Sequence, residues 1–207
     1  FGVMNAISAV KSQLSNVAMI IHGTTTTTNA VLERKLSRTG LITTKGFRDC
    51  LELGRRTRPQ PYGMKGHFVP IVPRDLRVEV DERMDFAGRV ITSLDESAVR
   101  RAGETLLESG VESIVIHFLH SYANPEHELR AAAILAEFWP NDFVTMGHSL
   151  LSESREFERG VTAAVNASVQ PILKKYIRKL VEELSNAGYQ SELLVMNGNG
   201  GTVSAAW

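Results

Sequence analysis

The chain has 207 residues, of which 43% are hydrophobic and 22% are charged, a composition typical of a globular protein with a sizeable core. Its 23 basic and 23 acidic side chains balance, so no net charge favours binding to nucleic acid or to an anionic membrane. The densest basic cluster, formed by Arg55, Arg56 and Arg58, is short and lacks interleaved aromatic residues, which argues against a nucleic-acid groove.

The ends of the chain and its single cysteine bear on the cellular compartment of the protein. No apolar run approaches the roughly 20 residues that a membrane-spanning helix needs, and the first residues do not resemble a secretory signal. Cys50 has no second cysteine to pair with, which favours a reducing compartment, and it shares a helical face with Phe47 and Leu51, which favours a buried thiol over a nucleophile. We therefore expect a cytoplasmic protein.

Because the chain starts at Phe1 and stops at Trp207 without terminal signals, we also expect a fragment of a longer protein, with N-terminal processing as the alternative.

Apolar periodicity and turn signals predict helices and strands that alternate along the chain. The predicted helices cover residues 4–14, 29–35, 47–53, 93–109, 124–139 and 153–186. The predicted strands cover residues 17–21, 39–43, 77–84, 90–91, 111–119, 143–146 and 193–196, and the strands at 77–84 and 90–91 form a hairpin. An irregular loop rich in proline and glycine is expected at 55–73. This order predicts an α/β fold with parallel strand pairing.

Local signals predict how three of these helices begin or break. Ser93, followed three residues later by Glu96, has the pattern of a capping box. Asn124 is predicted as the cap of the next helix, with Pro125 in its first position. Pro171 is expected to kink or split the last long helix.

Four of the predicted strands end in polar or glycine-rich loops. In open α/β sheets, ligands bind beyond the carboxyl ends of the strands. Loops with hydroxyl, amide and free backbone N–H groups can hold a carboxylate, a carbonyl oxygen or a phosphate. The four loops lie within residues 20–25, 118–122, 146–149 and 195–201.

The segment His22-Gly23-Thr24-Thr25 is the most specific of these loops. His22 can act as an acid, a base or an oxyanion donor, the threonine hydroxyls can donate or accept hydrogen bonds, and glycine lets a ligand approach the backbone. The alternative is a buried histidine that caps a turn, with threonines at a strand end and a helix start. Composition alone favours this alternative.

Histidines that follow predicted strands raise the question of a metal site. His22, His120 and His148 hold such positions and can ligate a metal together with a carboxylate. However, their spacing contains no local ligand motif, and His117 and His120 are three residues apart on a strand, so they point to opposite faces. The pattern therefore favours a site without a metal over a metal centre.

Two further segments each leave two interpretations open. Residues 197–201, Asn-Gly-Asn-Gly-Gly, match neither a Walker A loop nor a complete dinucleotide fingerprint, so they predict either a plain turn or a ligand cradle. The charged cluster in residues 153–159 is either a solvated helix face with ion pairs or a charged network buried beside a site. The sequence alone favours the solvated face.

Taken together, these motifs resemble the N-terminal half of the hydantoinase A/oxoprolinase family. That family comprises ATP-dependent N-methylhydantoinases, 5-oxoprolinases and subunits of acetone and acetophenone carboxylases. The hallmark stretch is His22-Gly23-Thr24-Thr25, followed by Thr28-Asn29-Ala30 and by residues 32–35. Further matches lie at residues 38–49, 51–52, 54–55, 72–74, 118–122, 124–125, 127–128, 155–159, 166–167 and 199–201. The resemblance covers residues 18 to 204, nearly the whole chain.

The resemblance implies the fold and its division. We expect an α/β fold made of a partial actin-like ATPase (ribonuclease H-like) domain with an inserted α/β subdomain. Residues 1–74 would then be part of the hydantoinase/oxoprolinase N-terminal domain, and residues 75–150 the inserted α/β subdomain. Residues 151–207 would form long helices and the return to the ATPase-like core.

The resemblance also implies an activity for the full-length protein. We expect an ATP-dependent amidohydrolase that opens cyclic amides or imides, of the hydantoin or 5-oxoproline type, by phosphorylating a carbonyl oxygen. The alternatives are an ATP-using subunit of an acetone/acetophenone-type carboxylase and a non-catalytic assembly subunit. ATP and a divalent metal, Mg²⁺, are the expected cofactors. The two phosphate loops of the family fall outside this sequence, so we expect the fragment to be inactive by itself.

The expected partners and site residues complete the hypothesis. The partners are a small cyclic amide or ketone substrate and a hydantoinase B-type subunit or domain, with no nucleic acid and no membrane. His22 is the expected catalytic residue, and Glu156 and Arg159 are expected to support the site. His120 and His148 are the candidate metal ligands. The expected substrate-binding residues are Thr24, Thr25, Asn29, Arg55, Arg58, Asn199, Gly200 and Gly201.

Overall fold

The computed structural model describes residues 2–9, 14–55, 62–63 and 69–205, and the chain divides into two compact units. Unit 1 comprises residues 1–35 and 172–207, and unit 2 comprises residues 36–171. The expected division at 74/75 and 150/151 follows the family resemblance, and we keep it as a proposal for the longer protein.

The elements follow one another along the chain as alternating helices and strands. The strands are β1 (Ile20–His22), β2 (Thr39–Thr44), β3 (Arg77–Val80), β4 (Arg83–Met84), β5 (Val90–Thr92), β6 (Ser113–His117), β7 (Val144–Met146), β8 (Leu193–Met196) and β9 (Thr202–Ser204). The helices are α1 (Gly2–Ala9), α2 (Thr26–Leu32), α3 (Cys50–Leu53), α4 (Glu96–Glu108), α5 (Glu126–Ala136), α6 (Gly147–Leu150) and α7 (Glu156–Asn186). Short 3₁₀ turns occur at Leu14–Asn16 and Arg74–Leu76.

Unit 2 is built on a parallel sheet with the strand order β3-β2-β6-β7. Every residue of β2 and β6 is buried, as expected for central parallel strands that are covered on both faces. The core includes Leu41, Ile42, Ile114 and Ile116, and the helices α4 and α5 pack against the sheet and against each other. The predicted α/β pattern with parallel pairing therefore describes this unit.

Unit 1 contains a three-stranded sheet with the order β1-β8-β9, in which β1 and β8 are parallel and β9 returns antiparallel to β8. Its small core contains Ile177, Leu184 and Leu193. The hydroxyl of Tyr189 accepts a hydrogen bond from the Ile20 amide at 2.9 Å and donates one to the Glu192 carbonyl at 2.9 Å. Strand β9 was not predicted, because Thr202–Ser204 is short and has no repeating apolar pattern.

The predicted helix starts are wrong in detail. Helix α4 begins at Glu96 rather than near Ser93, and its cap is Asp95, whose Oδ1 accepts a hydrogen bond from the Ala98 amide at 2.9 Å. A cap side chain covers the amide two or three residues further along the chain, a distance that Asp95 satisfies for Ala98 and Ser93 does not. Helix α4 does end as predicted, at Gly110 with a φ of 71°.

The start of α5 also differs by one position from the prediction. Pro125, and not Asn124, occupies the cap position of α5. Asn124 nevertheless covers the first free amide of the helix, because its Oδ1 accepts a hydrogen bond from Glu126 at 3.0 Å. The predicted strand at 77–84 divides as well, since β3 joins the parallel sheet and only β4 forms the antiparallel hairpin with β5.

Helix α7 runs for 31 residues and contains Pro171, so of the two predicted outcomes, a kink or a split, the split is wrong. Buried residues on both sides of the proline, Ala163 and Ala167 before it and Ile177 and Leu184 after it, hold the chain helical. Tertiary packing of these faces offsets the unfavourable proline. Within the described parts of the chain, no helix combines the length and the apolar character that crossing a membrane requires.

Candidate functional site

The parallel pairing of β1 and β8 brings two of the predicted loops to one edge of the unit 1 sheet. The register pairs His22 with Val195, so the segment after β1 and the segment after β8 leave the sheet at the same edge. The carboxyl edge of parallel strands is where ligands bind in open α/β sheets. Residues 22–25 and 197–201 therefore follow strand ends at the same edge of this sheet, and their role in binding stays a prediction.

His22 is half-buried at this edge and is held by a tyrosine from α7. Its Nε2 lies 2.8 Å from the hydroxyl of Tyr176, and the two ring centroids are 5.7 Å apart. Burial lowers the pKa of His22 below its ordinary value. The imidazole is therefore neutral at neutral pH and can both donate and accept a proton. Sequence analysis missed Tyr176, which is 154 residues away in the chain.

The predicted substrate-binding threonines hold one another and the start of α2. Thr24 Oγ1 lies 2.7 Å from Thr26 Oγ1 and accepts a hydrogen bond from the Thr26 amide at 3.2 Å. The side-chain amide of Asn29 donates to Thr25 Oγ1 at 3.3 Å. These bonds match the structural alternative, in which the threonines form a turn and a helix start. Thr25 Oγ1 accepts only the bond from Asn29 in this set and keeps a further lone pair for a ligand.

The glycine-rich segment at 197–201 is the turn of the β8–β9 hairpin. The amide of Asn197 donates to the Gly201 carbonyl at 2.7 Å, the amide of Gly200 donates to the Asn197 carbonyl at 3.0 Å, and the amide of Gly201 donates to Asn199 Oδ1 at 3.0 Å. Gly200 has a φ of 84°, a conformation that favours glycine. All five residues are exposed. The segment is therefore a turn, and its proposed contact with substrate is untested.

Only one of the two arginines predicted to bind substrate lies in a described part of the chain. Arg55 Nε donates to Glu158 Oε1 at 2.5 Å, so a carboxylate already pairs this guanidinium, although its side chain is 61% exposed. Arg58 lies outside the described residues. The role of both arginines in binding stays a prediction.

Arg159 is buried, which contradicts the solvated helix face that the sequence favoured. The side chain is 0% exposed, its Nη1 donates to the Glu153 carbonyl at 2.6 Å, and its Nη2 donates to the Phe118 carbonyl at 3.2 Å. Its guanidinium also lies 5.5 Å from the ring centroid of Tyr122. The backbone of Glu156 hydrogen-bonds to His117 in the same region. Arg159 thus fastens the segment before α7 to the end of β6.

A buried carboxylate, Glu128 on α5, joins the ends of β6 and β7. Its Oε1 accepts a hydrogen bond from the Phe118 amide at 2.9 Å. Its Oε2 accepts from the His148 amide at 3.0 Å and bonds to His148 Nδ1 at 2.6 Å. Burial acts to raise the pKa of Glu128, but the hydrogen bonds, led by that from the His148 side chain, hold the pKa below its ordinary value. Glu128 is therefore an ionised, fully satisfied carboxylate.

A second carboxylate–histidine pair lies at the same edge of unit 2. Glu82 Oε2 lies 2.7 Å from His127 Nδ1, and its Oε1 accepts a hydrogen bond from Thr44. Thr44 Oγ1 in turn accepts a hydrogen bond from the Leu119 amide at 2.8 Å. Sequence analysis missed both pairs, since the only signal was the adjacent His127 and Glu128 in the family-like motif.

The predicted metal ligands are not brought together as a metal centre. In the parts of the chain that the structure describes, no group of three or more His, Cys, Asp or Glu side chains is arranged to hold a metal ion. His148 bonds to Glu128, and His120 has a left-handed backbone with a φ of 59°. The described residues therefore do not fit a divalent metal by themselves. The half-buried thiol of Cys50 has its pKa raised by burial, which argues against a nucleophile.

The chain is similar in sequence to two family profiles and to several known proteins. The sequence profile of the hydantoinase/oxoprolinase N-terminal region matches residues 1–139, and the hydantoinase/oxoprolinase profile matches residues 159–206. The chain is 30% identical to the acetophenone carboxylase gamma subunit of Aromatoleum aromaticum over 97% of its length, which is 30% of that relative. It is 33% identical to the 5-oxoprolinase of Saccharomyces cerevisiae over 92% of its length, which is 17% of that relative.

The fold of this chain is also similar to that of a solved structure. The ATP-dependent caprolactamase from Pseudomonas jessenii superposes with a TM-score of 0.83 and 29% identity, over 99% of this chain and 30% of that one. The match confirms the predicted α/β fold class. The chain thus spans less than a third of the length of each of these proteins.

Proposed function

Because this chain belongs to the hydantoinase/oxoprolinase family, we propose that the longer protein is an ATP-dependent amidohydrolase. It opens a cyclic amide or imide, of the hydantoin or 5-oxoproline type, by phosphorylating a carbonyl oxygen. Two of the proteins compared above carry lactam-opening names, 5-oxoprolinase and caprolactamase, which supports this substrate class.

The observation that carries the proposal is the position of His22 beside Tyr176, at the sheet edge that also carries residues 197–201. In the proposed tautomer the Tyr176 hydroxyl donates to Nε2 of the neutral imidazole, and the ring proton is on Nδ1. That N–H then donates to a substrate carbonyl oxygen, where negative charge develops during ring opening. Thr24 and Asn199 supply further polar groups at the same edge.

A carboxylase subunit is the second candidate function, and the similarity to the acetophenone carboxylase gamma subunit favours it. In that case the same edge would hold a ketone rather than a cyclic amide. The subunit names among the relatives also support a partner, and we propose a hydantoinase B-type subunit or domain. ATP and Mg²⁺ belong to the proposal for the longer protein, and no residue set described here is assigned to either.

Replacement of His22 by Ala in the full-length protein tests the site. We expect kcat for ATP-dependent ring opening to fall at least about a hundredfold, as for loss of an acid–base or oxyanion group. Tyr176→Phe removes only the hydroxyl that orients the imidazole, so its effect should be smaller. Met19→Ala is the matched control, because Met19 precedes the same strand at its other end and is 58% exposed.

The assay follows release of inorganic phosphate and of the ring-opened product. Hydantoin, 5-oxoproline and caprolactam are compared with acetone or acetophenone plus bicarbonate. Turnover of ketones alone would replace the hydrolase by the carboxylase. If His22→Ala matches Met19→Ala in kcat and KM, His22 is not part of the site.

A further inference from the structure

The turn between β8 and β9 contains both of the Asn-Gly sequences in the chain, Asn197-Gly198 and Asn199-Gly200. Asparagine followed by glycine is prone to spontaneous deamidation, because glycine has no side chain to shield its amide nitrogen. We propose that Asn197 is a site of deamidation, whereas the turn protects the neighbouring Asn199. The site lies within unit 1 and does not depend on the substrate of the longer protein.

The reaction needs water as its only co-reactant. The amide nitrogen of Gly198 bonds to Cγ of Asn197, the bond from Cγ to the side-chain nitrogen breaks, and the amide proton leaves with ammonia. The product is a cyclic succinimide. Water then opens this ring at one of its two carbonyl carbons, which leaves either aspartate or isoaspartate at position 197. In isoaspartate the main chain runs through the side-chain carbonyl and is longer by a carbon atom.

The structure leaves both reacting groups of Asn197-Gly198 free. Both residues are exposed, and among the described residues the Asn197 side chain and the Gly198 amide have no hydrogen-bond partner. A Cβ atom added to Gly198 would meet no atom within 4 Å, so the space around this backbone is open. The main-chain bonds of Asn197 use its own N–H and C=O, which are neither the attacking nitrogen nor the attacked carbon. The Asn197 side chain can therefore turn towards the Gly198 amide without breaking a hydrogen bond of its own.

Hydrogen bonds hold both reacting groups of Asn199-Gly200. The Gly200 amide, which contains the nitrogen that would attack, donates to the Asn197 carbonyl at 3.0 Å. Oδ1 of Asn199 accepts a hydrogen bond from the Gly201 amide at 3.0 Å, which fixes the side chain. Reaction at Asn199 has to break these bonds, and we therefore expect it to be at least about tenfold slower than reaction at Asn197.

Deamidation at Asn197 changes the turn that sets the register of β8 and β9. The Asn197 amide donates to the Gly201 carbonyl at 2.7 Å, directly after the pair formed by Met196 and Thr202. Aspartate fits the first position of a turn as well as asparagine does. Isoaspartate lengthens the main chain inside the turn, so the hydrogen bonds made by the N–H and C=O of position 197 can no longer both form in this register. The isoaspartate form should therefore hold β9 less firmly.

Incubation of the full-length protein at mildly alkaline pH tests the site. Samples are digested at acidic pH, which suppresses further reaction, and mass spectrometry locates the mass increase that replacement of NH₂ by OH produces. We expect modification of Asn197 to be at least about tenfold faster than that of Asn199. In the same protein unfolded in guanidinium chloride, the two asparagines should react at similar rates, because the turn no longer exists.

The comparison of the folded and the unfolded protein decides the proposal. Equal rates at the two asparagines in the folded protein would overturn it, because the hydrogen bonds of Asn199-Gly200 would then give no protection. An Asn197 that stays unmodified in the folded protein, while it is converted in the unfolded one, would also overturn it.

Substitution of Gly198 by Ala tests the attacking nitrogen. Alanine fits this position, because its Cβ atom meets open space and the φ of Gly198 is not in the left-handed region. The added methyl group shields the amide nitrogen, so modification of Asn197 should be lost. Gly2→Ala is the matched control, since it adds the same methyl group in open space elsewhere in unit 1. Modification of Asn197 at the wild-type rate in Gly198→Ala would contradict the succinimide route.

The effect on activity rests on the proposed function, in which the same turn supplies Asn199, Gly200 and Gly201 to the substrate. The isoaspartate form, separated by ion exchange, should show faster hydrogen exchange of the β9 amides and a higher KM for the cyclic amide. The two proposals can fail separately. A wild-type protein that turns over none of the amides would sink the proposed function, while mass spectrometry would still decide the fate of Asn197. Amide turnover by a protein whose Asn197 resists deamidation would sink the inference and leave the proposed function intact.

Discussion

Substitution of Gly160 by Ala tests whether the start of α7 is packed as closely as the structure indicates. A Cβ atom at Gly160 would lie 2.8 Å from Cδ2 of His117 and 2.8 Å from Cδ2 of Leu51. Both neighbours are 3% exposed, and the ring of His117 also bonds to the Glu156 backbone. Neither side chain can turn towards solvent, so the added methyl group must push buried atoms apart.

Two opposing contributions set the size of the change in the free energy of unfolding. Alanine in place of glycine in a helix interior stabilises by about 1 kcal/mol through backbone entropy. Overpacking of a filled core costs about 1–3 kcal/mol, and the enclosure of both neighbours favours the upper part of that range. We therefore expect Gly160→Ala to lower the free energy of unfolding of unit 2 by about 1–2 kcal/mol, which raises its unfolded population roughly 5–30-fold.

Hydrogen–deuterium exchange of the full-length protein measures this change in the unit concerned. Amides of β2 and β6 exchange through unfolding of unit 2, and their rates should rise by that factor in Gly160→Ala. Thr162→Ala is the matched control, since it introduces the same residue on an exposed face of the same helix. Exchange in Gly160→Ala as slow as in the wild type would refute the argument, because it would mean that His117 and Leu51 yield without cost.

Two further predictions concern a helix cap and a buried histidine. Asp95→Ala should destabilise α4 by about 1 kcal/mol, whereas Ser93→Ala should change it by a few tenths at most, as measured by exchange of the first amides of the helix. Burial, followed by the nearby charge of Arg159, lowers the pKa of His117 from 6.5 to about 4. The unfolded chain therefore binds a proton below pH 6.5 that the folded chain does not, and stability should fall by up to about 1.4 kcal/mol per pH unit between pH 6.5 and about 4. Urea unfolding at several pH values measures this slope of stability against pH. His117→Gln should remove the part of the slope that His117 contributes.

The sequence predicted the fold where the signal was local and repeated. The β-branched run that contains Ile114 and Ile116 predicted a buried parallel strand, and the structure buries all of β6. The prediction failed where contacts between residues far apart in the chain determine the local structure. Pro171 was predicted to kink or split α7, and the helix is not split, since residues on both sides of the proline are buried. Arg159 looked like part of a solvated face, since nothing in a dense charged segment shows which member turns inward.

Only part of the candidate site could be predicted from the sequence. The shared edge of residues 22–25 and 197–201 could be predicted, since the carboxyl ends of parallel strands lie at one edge of a sheet. The partners that orient the histidines could not. Tyr176 is 154 residues from His22, and Glu128 is 20 residues from His148, so neither pair leaves a local pattern. Pairing over such separations is fixed by the fold, and a single sequence does not encode it in any short motif.

The most direct test of the central claim is the fate of the carbonyl oxygen. The full-length protein is supplied with ATP and with hydantoin or 5-oxoproline that carries ¹⁸O in the ring carbonyl, and the inorganic phosphate is analysed by mass spectrometry. Phosphorylation of the carbonyl oxygen predicts that the label appears in phosphate, because that oxygen leaves with the phosphoryl group. Ring opening in which all of the label stays in the carboxylate product would contradict the account.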